Sequence, residues 1–304
     1  MSANASPQKK ATMVATAVAT VLTVLKLVIG MLSGSVAVLA SAIDSLLDMA
    51  ISVFNFFAIK KSEENPNDIY QYGKGKIQAI AGVIEGTIIT ISGLYIIYKA
   101  VEKWMDGAQV ALLTPSIVVM LLSLVITYFL VKYLLQIAEK TDNIVIKADA
   151  LHYQTDLWSN AAVLLSLVLV WMTGWSAIDA LFGLGIGLFI IYSAYEIIRD
   201  GIEILLDRAL DGDIVAKIGE IIAHHPKSAS YHWLKTRTDG TTNFVEFHLV
   251  LSPEMRLKEA HDITDEIEAE IMALDEKKRW LITPHYDPYD DEHLNETALY
   301  GKRD

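Results

Sequence analysis

Six long apolar stretches, separated by turn-forming residues, occupy the first two thirds of the chain, and a polar, alternating pattern takes over after Leu206. The stretches run roughly over 11–32, 36–59, 77–101, 112–135, 144–172 and 177–206. Between them stand Ser33-Gly34-Ser35, Asn65-Pro66-Asn67, Asp106-Gly107, Thr114-Pro115 and Thr173-Gly174. Each stretch is long enough, as a helix, to cross a hydrocarbon layer ~30 Å thick. The first is too long for the apolar region of a secretory signal, and Ala40-Ser41-Ala42 abuts another apolar helix, so it reads as an uncleaved span. Beyond residue 206 the pattern predicts a helix over 207–225, strands over 228–238 and 242–251 around an Asp239-Gly240 turn, an acidic amphipathic helix over 255–274, and a strand over 280–287. The expected fold is an α-helical membrane protein. Residues 1–10 form a cytoplasmic tail, 11–206 a transmembrane domain of six helices, 207–288 a small cytoplasmic αββαβ domain, and 289–304 a polar, disordered tail.

Polar residues inside the spans carry the chemistry. Asp44 and Asp48 lie on the second stretch, His152 and Asp156 on the fifth, and each pair is four residues apart, hence on one helix face. An ionised side chain at the middle of a span costs about 2.5 kcal/mol or more, so such residues call for a partner. Lysines gather at the starts of odd-numbered spans and the ends of even-numbered ones, which places both termini in the cytoplasm. The second and fifth spans then run antiparallel, and both pairs fall about 8–12 residues in, at one depth near the midplane. Three carboxylates and one imidazole suit a four-coordinate borderline cation such as Zn²⁺, and the oxygen-rich set also admits Fe²⁺, Cd²⁺, Co²⁺ and Mn²⁺. Glu85, a carboxylate in the third span, is expected to pair with Lys26 or to hold a proton.

Composition narrows the function classes. The chain has 304 residues, 53% of them hydrophobic, with a mean hydropathy of +0.35. The formal net charge of -12 is concentrated after residue 206, which speaks against a nucleic-acid surface and leaves cations as ligands. There is no cysteine, so metal chemistry must use His, Asp and Glu. His152 is the only histidine before residue 207. In the polar part His232 falls on the first strand, His248 on the second, and His285 and Asp287 on one face of the third, with His261 opening the second helix. His224, His225 and His293 read as solvated surface. Two competing classes remain. An intramembrane metal-dependent hydrolase needs an open coordination position and a general base, and neither these four ligands nor an HExxH pattern supplies one. A metal receptor signalling through the soluble domain is the other.

The motifs Ala42-Ile43-Asp44-Ser45-Leu46-Leu47-Asp48, Tyr72-Gly73-Lys74-Gly75-Lys76, Ala148-Asp149-Ala150-Leu151-His152-Tyr153-Gln154-Thr155-Asp156, Asp179-Ala180-Leu181-Phe182 and Leu205-Leu206-Asp207-Arg208 resemble the cation diffusion facilitator family, within it the bacterial zinc/iron branch. The resemblance covers nearly the whole chain. It implies a homodimeric divalent-metal/proton antiporter of the bacterial inner membrane that exports Zn²⁺, or else Fe²⁺ or Mn²⁺/Cd²⁺. It also implies a transport site at Asp44, Asp48, His152 and Asp156, and a two-metal cytoplasmic site, with structural Zn²⁺, built from His232, His248, His261, His285 and Asp287. Further implications are a Lys76–Asp207 salt bridge and a gating role for Leu151. Two departures stand out. Trp233 takes a place where relatives often have Asp. The loop 67–76 has no histidine, and Lys74 stands where one is expected, so a third metal site of related transporters should be absent or very weak here.

Overall fold

In the computed structural model the described residues are 6–33, 36–106, 114–173 and 177–291. The chain divides into two compact units, residues 1–202 and 203–304.

The first unit is built from six helices of 27 to 30 residues: α1 (Pro7–Ser33), α2 (Val36–Ser62), α3 (Ile77–Asp106), α4 (Thr114–Thr141), α5 (Ile144–Thr173) and α6 (Ala177–Leu205). They extend the apolar stretches by up to six residues at an end, because the polar flanks such as Lys60-Lys61 and Lys140-Thr141 continue the helical hydrogen bonding. Stretches within α1, α3, α4 and α6 are long and apolar enough to cross a membrane, while α2 and α5 carry the motif carboxylates and histidine. Large apolar side chains such as Ile91, Leu94, Tyr95, Phe129 and Leu188 point outward, as a lipid-facing surface requires.

Small residues set the close approach of α3 and α6. Ala79, Gly86, Gly93 and Ala100 recur every seven residues on α3. On α6 they meet Gly201, Ala194, Gly187 and Gly183 respectively, in antiparallel order. A Cβ on Gly187 would stand 3.0 Å from the Gly93 carbonyl oxygen, so the absence of side chains brings the backbones together.

The Lys-rich ends of α2, α3 and α5 are tied by a buried polar chain. Gln78 Nε2 donates to Ser62 Oγ at 2.7 Å, and Asn143 Nδ2 donates to Gln78 Oε1 at 2.9 Å. Asn143 Oδ1 in turn accepts the first free amides of α5, from Val145 at 3.0 Å and Ile146 at 3.1 Å. This cap fixes where α5 begins and therefore the height of His152 along it.

The second unit has the expected αββαβ order: α7 (Gly212–His224), β1 (Ser230–Thr238), β2 (Thr242–Val250), α8 (Leu257–Met272) and β3 (Arg279–Asp287). The first helix begins five residues later than its pattern suggested, because Asp207 takes a left-handed backbone (φ 58°) and interrupts the chain before it. The strand order is β1-β2-β3, with β1 antiparallel and β3 parallel to β2. Asp239 Oδ1 collects the amides of Thr241 and Thr242 at 2.8 and 2.7 Å, and Gly240 takes φ 93°, which builds the hairpin turn. Val245, Phe247 and Leu249 alternate inward from β2 and pack against Ile218 and Ile222 of α7 and Ile263, Ile267 and Ile271 of α8. Both helices thus cover one face of the sheet, and the even-numbered residues of β2, His248 among them, project from the other.

Candidate metal centres

Between α2 and α5 the expected pairs come together. His152 Nε2 lies 3.0 Å from Asp48 Oδ1 and 4.0 Å from Asp156 Oδ2. One donor atom from each of these three residues can be chosen so that all lie within 4.8 Å of one another, the geometry of a cation site. His152 is 8% exposed, and the Asp48 and Asp156 side chains 19% and 39%, so the imidazole is the buried end of the site. The side chain of Asp44 lies outside the described residues. One turn further along α2, Ser52 Oγ and Tyr153 Oη share a buried hydrogen bond at 2.9 Å that keeps the two helices in register.

Glu85 does not pair with Lys26. It is 1% exposed, and its partner is the Asn55 amide at 2.9 Å; Lys26 donates to Ser45 Oγ at 2.7 Å. The same Asn55 nitrogen also reaches Asp149 Oδ1 at 3.3 Å. Leu151 is half-buried and packs beside a small cluster of Ile89, Ile190 and Ala194.

On the helix-free face of the sheet, strand register aligns three histidines in one rung, with His232 opposite His248 and His248 opposite His285. Their ring centroids are 5.0 and 4.6 Å apart. Asp287 serves all three: its Oδ2 lies 2.7 Å from His248 Nδ1 and 3.3 Å from His232 Nε2, and its Oδ1 lies 3.3 Å from His285 Nε2. Asp291 adds a carboxylate 3.1 Å from His232 Nε2, and His232, His248, Asp287 and Asp291 gather as a second group with donors within 4.8 Å. His261 is placed apart from that group. It sits on the exposed side of α8, which packs its apolar face on the opposite side of the sheet, and its near acid is Asp265 at 3.6 Å. Asp290 and Asp291, expected within a polar, disordered tail, both face His232; residues 292–304 lie outside the described ones. The only sequence signal for them was a run of three acids, Asp290 to Glu292, that begins three residues after Asp287.

Trp233 forms the bulge of β1. It takes φ 55°, the pairing with β2 skips from His232 to Lys235, and its ring meets His248 edge-on at 4.9 Å. In the 67–76 loop, Lys74 Nζ is paired with Glu64 Oε2 at 2.7 Å. Glu64 also accepts from Lys61, and these two hydrogen bonds, Lys61 first, bring its carboxyl down to about 2. Asp207 pairs with Arg237 at 3.2 Å within the second unit.

Long apolar helices that bury a His/Asp cluster, joined to an α/β domain with a second such cluster, define a membrane protein that handles cations. Residues 12–206 match the cation efflux transmembrane domain and residues 210–289 the cation efflux protein cytoplasmic domain; the chain belongs to the cation efflux family. It is a multi-pass membrane transporter and not an enzyme. It is 34% identical over 237 residues to the cation-efflux pump FieF of Escherichia fergusonii, covering 78% of this chain and 79% of that protein. The same identity, length and coverage hold for the FieF pump of Citrobacter koseri. Among solved structures, the zinc form of CzrB is 28% identical with a TM-score of 0.24, covering 28% of this chain and 98% of that one. The manganese form of the MamM CTD is 17% identical with a TM-score of 0.23, covering 25% of this chain and 96% of that one.

Proposed function

We propose that the protein exports a divalent cation, Zn²⁺ foremost, from the cytoplasm in exchange for protons, as a homodimer of six-span protomers in a bacterial inner membrane with both termini cytoplasmic. The observation that carries this reading is the meeting of Asp48, His152 and Asp156 between two apolar helices, within 4.8 Å of one another. Asp44, one turn before Asp48 on the same face, is the fourth ligand in this reading. Oxygen ligands with one imidazole and no thiolate admit Zn²⁺ without holding it irreversibly, and protonation competes for the same lone pairs. FieF of Escherichia fergusonii bears the name of a cation-efflux pump, which agrees with the direction of transport.

The soluble cluster fits structural zinc by its donor chemistry. His232, His248, Asp287 and Asp291 supply two imidazoles and two carboxylates. The two Asp287 oxygens face different histidines, as a carboxylate bridging two ions does, with His285 on the second side. A cation there would offset the repulsion between two acidic domains and steady the dimer. The discriminating experiment is uptake by proteoliposomes over a panel of Zn²⁺, Fe²⁺, Cd²⁺, Co²⁺ and Mn²⁺ with and without a pH gradient. Zinc uptake accelerated by the gradient supports the reading, and metal binding without flux supports a receptor instead.

A further inference from the structure

Further along the same helix contact lies a second polar cluster that the metal site does not use. Asn55 is seven residues beyond Asp48 on α2, and Asp149 three residues before His152 on α5. From Asp48–His152 to Asn55–Asp149 the contacts advance along α2 and step back along α5, so the helices run antiparallel. Both offsets therefore point the same way, toward the end of α2 that carries Lys60 and Lys61. At about 1.5 Å per residue the cluster lies roughly 5–10 Å from the metal ligands. Glu85 enters it from α3.

Asn55, Glu85 and Asp149 are 0%, 1% and 0% exposed. The Asn55 amide nitrogen bridges the two carboxylates at 2.9 and 3.3 Å. No lysine or arginine among the described residues pairs with either acid. Three oxygens here, Asn55 Oδ1, Glu85 Oε1 and Asp149 Oδ2, are buried without a hydrogen-bond partner. The titratable groups near the cluster are His152 beside both acids, and Asp48 and Tyr153 beside Asp149. Two bare anions so deeply buried, sharing one neutral amide, are far less stable than a pair in which one carboxyl carries a proton. A proton on either acid gives this set of orphaned oxygens one O–H donor.

We propose that Glu85 and Asp149, joined through Asn55, form a proton-binding site distinct from the metal ligands, loaded when the metal site is empty and discharged when it fills. Coupling is electrostatic: a divalent ion between Asp48 and His152 disfavours further positive charge one to two turns away. In an exporter this gives metal release a proton acceptor that does not compete for the metal's own ligands. The coupling role rests on the antiport reading above; the proton site itself does not.

The test is infrared difference spectroscopy on the full-length protein in lipid bilayers, with Zn²⁺ as the probe. The metal-free protein should show the carbonyl stretch of a protonated carboxylic acid, lost on zinc saturation. Glu85→Gln plus Asp149→Asn, both isosteric, should remove that band and the response of zinc flux to a pH gradient, with zinc stoichiometry unchanged. The single variants each remove part of the band, which keeps the test valid if the double variant misfolds. Absence of the band in the wild type, its persistence in the double variant, or loss of a bound zinc in that variant each overturns the proposal. A wild-type flux indifferent to the gradient, with the band behaving as described, overturns the antiport reading and leaves the proton site standing.

Discussion

Gly187→Ala and Gly185→Ala, two positions apart on α6, should move stability in opposite directions. A Cβ at Gly187 would lie 2.5 Å from Ile97 Cγ1, 3.3 Å from Ile97 Cδ1 and 3.0 Å from the Gly93 carbonyl oxygen, whereas one at Gly185 meets nothing within 4 Å. The Ile97 side chain can rotate away, but the Gly93 carbonyl belongs to the α3 backbone, so the helices must separate. Forcing a methyl into such a contact costs about 1–3 kcal/mol. Alanine recovers about 0.8–1.0 kcal/mol over glycine by helix propensity at either site. Gly185→Ala is therefore expected to stabilise by about 1 kcal/mol, and Gly187→Ala to destabilise by up to about 2 kcal/mol. Denaturing-detergent titration of the purified protein, followed by circular dichroism, measures both shifts. Equal shifts of the same sign would refute the claim that glycines bring α3 and α6 together.

Other outcomes follow from the two clusters and the loop. His248→Ala plus Asp287→Ala should lower the bound-metal count and weaken association of the cytoplasmic domains, yet leave residual flux; calorimetry and light scattering read the first two and vesicle uptake the third. Glu64 has a folded carboxyl brought down to about 2 from an ordinary 4.5, so its contribution to stability is full above about pH 4.5 and lost as pH falls through about 2. The stability difference between wild type and Glu64→Gln should vanish across that window, as unfolding midpoints will show. His152→Asp makes an all-oxygen site, expected to keep Cd²⁺, to gain Mn²⁺ uptake relative to Zn²⁺, and to change the pH profile of flux between about pH 6 and 8; paired uptake assays across that range check both.

Local periodicity made most of the architecture legible. Spacing alone put Asp44 with Asp48 and His152 with Asp156, because a helix face is a local property. The αββαβ order followed in the same way from alternation and from the Asp239-Gly240 turn. The antiparallel run of the second and fifth spans was legible from the lysine pattern, but most other relations between elements were not. That His232, His248 and His285 form one rung depends on strand register, which only the pairing of β2 with both neighbours reveals. His261 shared their residue type and not their face of the sheet. Glu85 was visible as a buried acid, but its partner Asn55 reads as an ordinary polar residue until α2, α3 and α5 are assembled. The seven-residue recurrence of Ala79, Gly86, Gly93 and Ala100 was present in the sequence and is understood only against its counterpart on α6.

The central claim is that one intramembrane site, built by α2 and α5, carries the transported ion. Zinc uptake into proteoliposomes by wild type, Asp48→Ala and Asp156→Ala, each confirmed as a folded dimer, tests it most directly. Removing a ligand that lies 3.0 Å from His152, or one at 4.0 Å, leaves too few donors to hold the ion against water. Both variants should therefore lose uptake while retaining the metals of the cytoplasmic domain. Normal uptake by both would contradict the account.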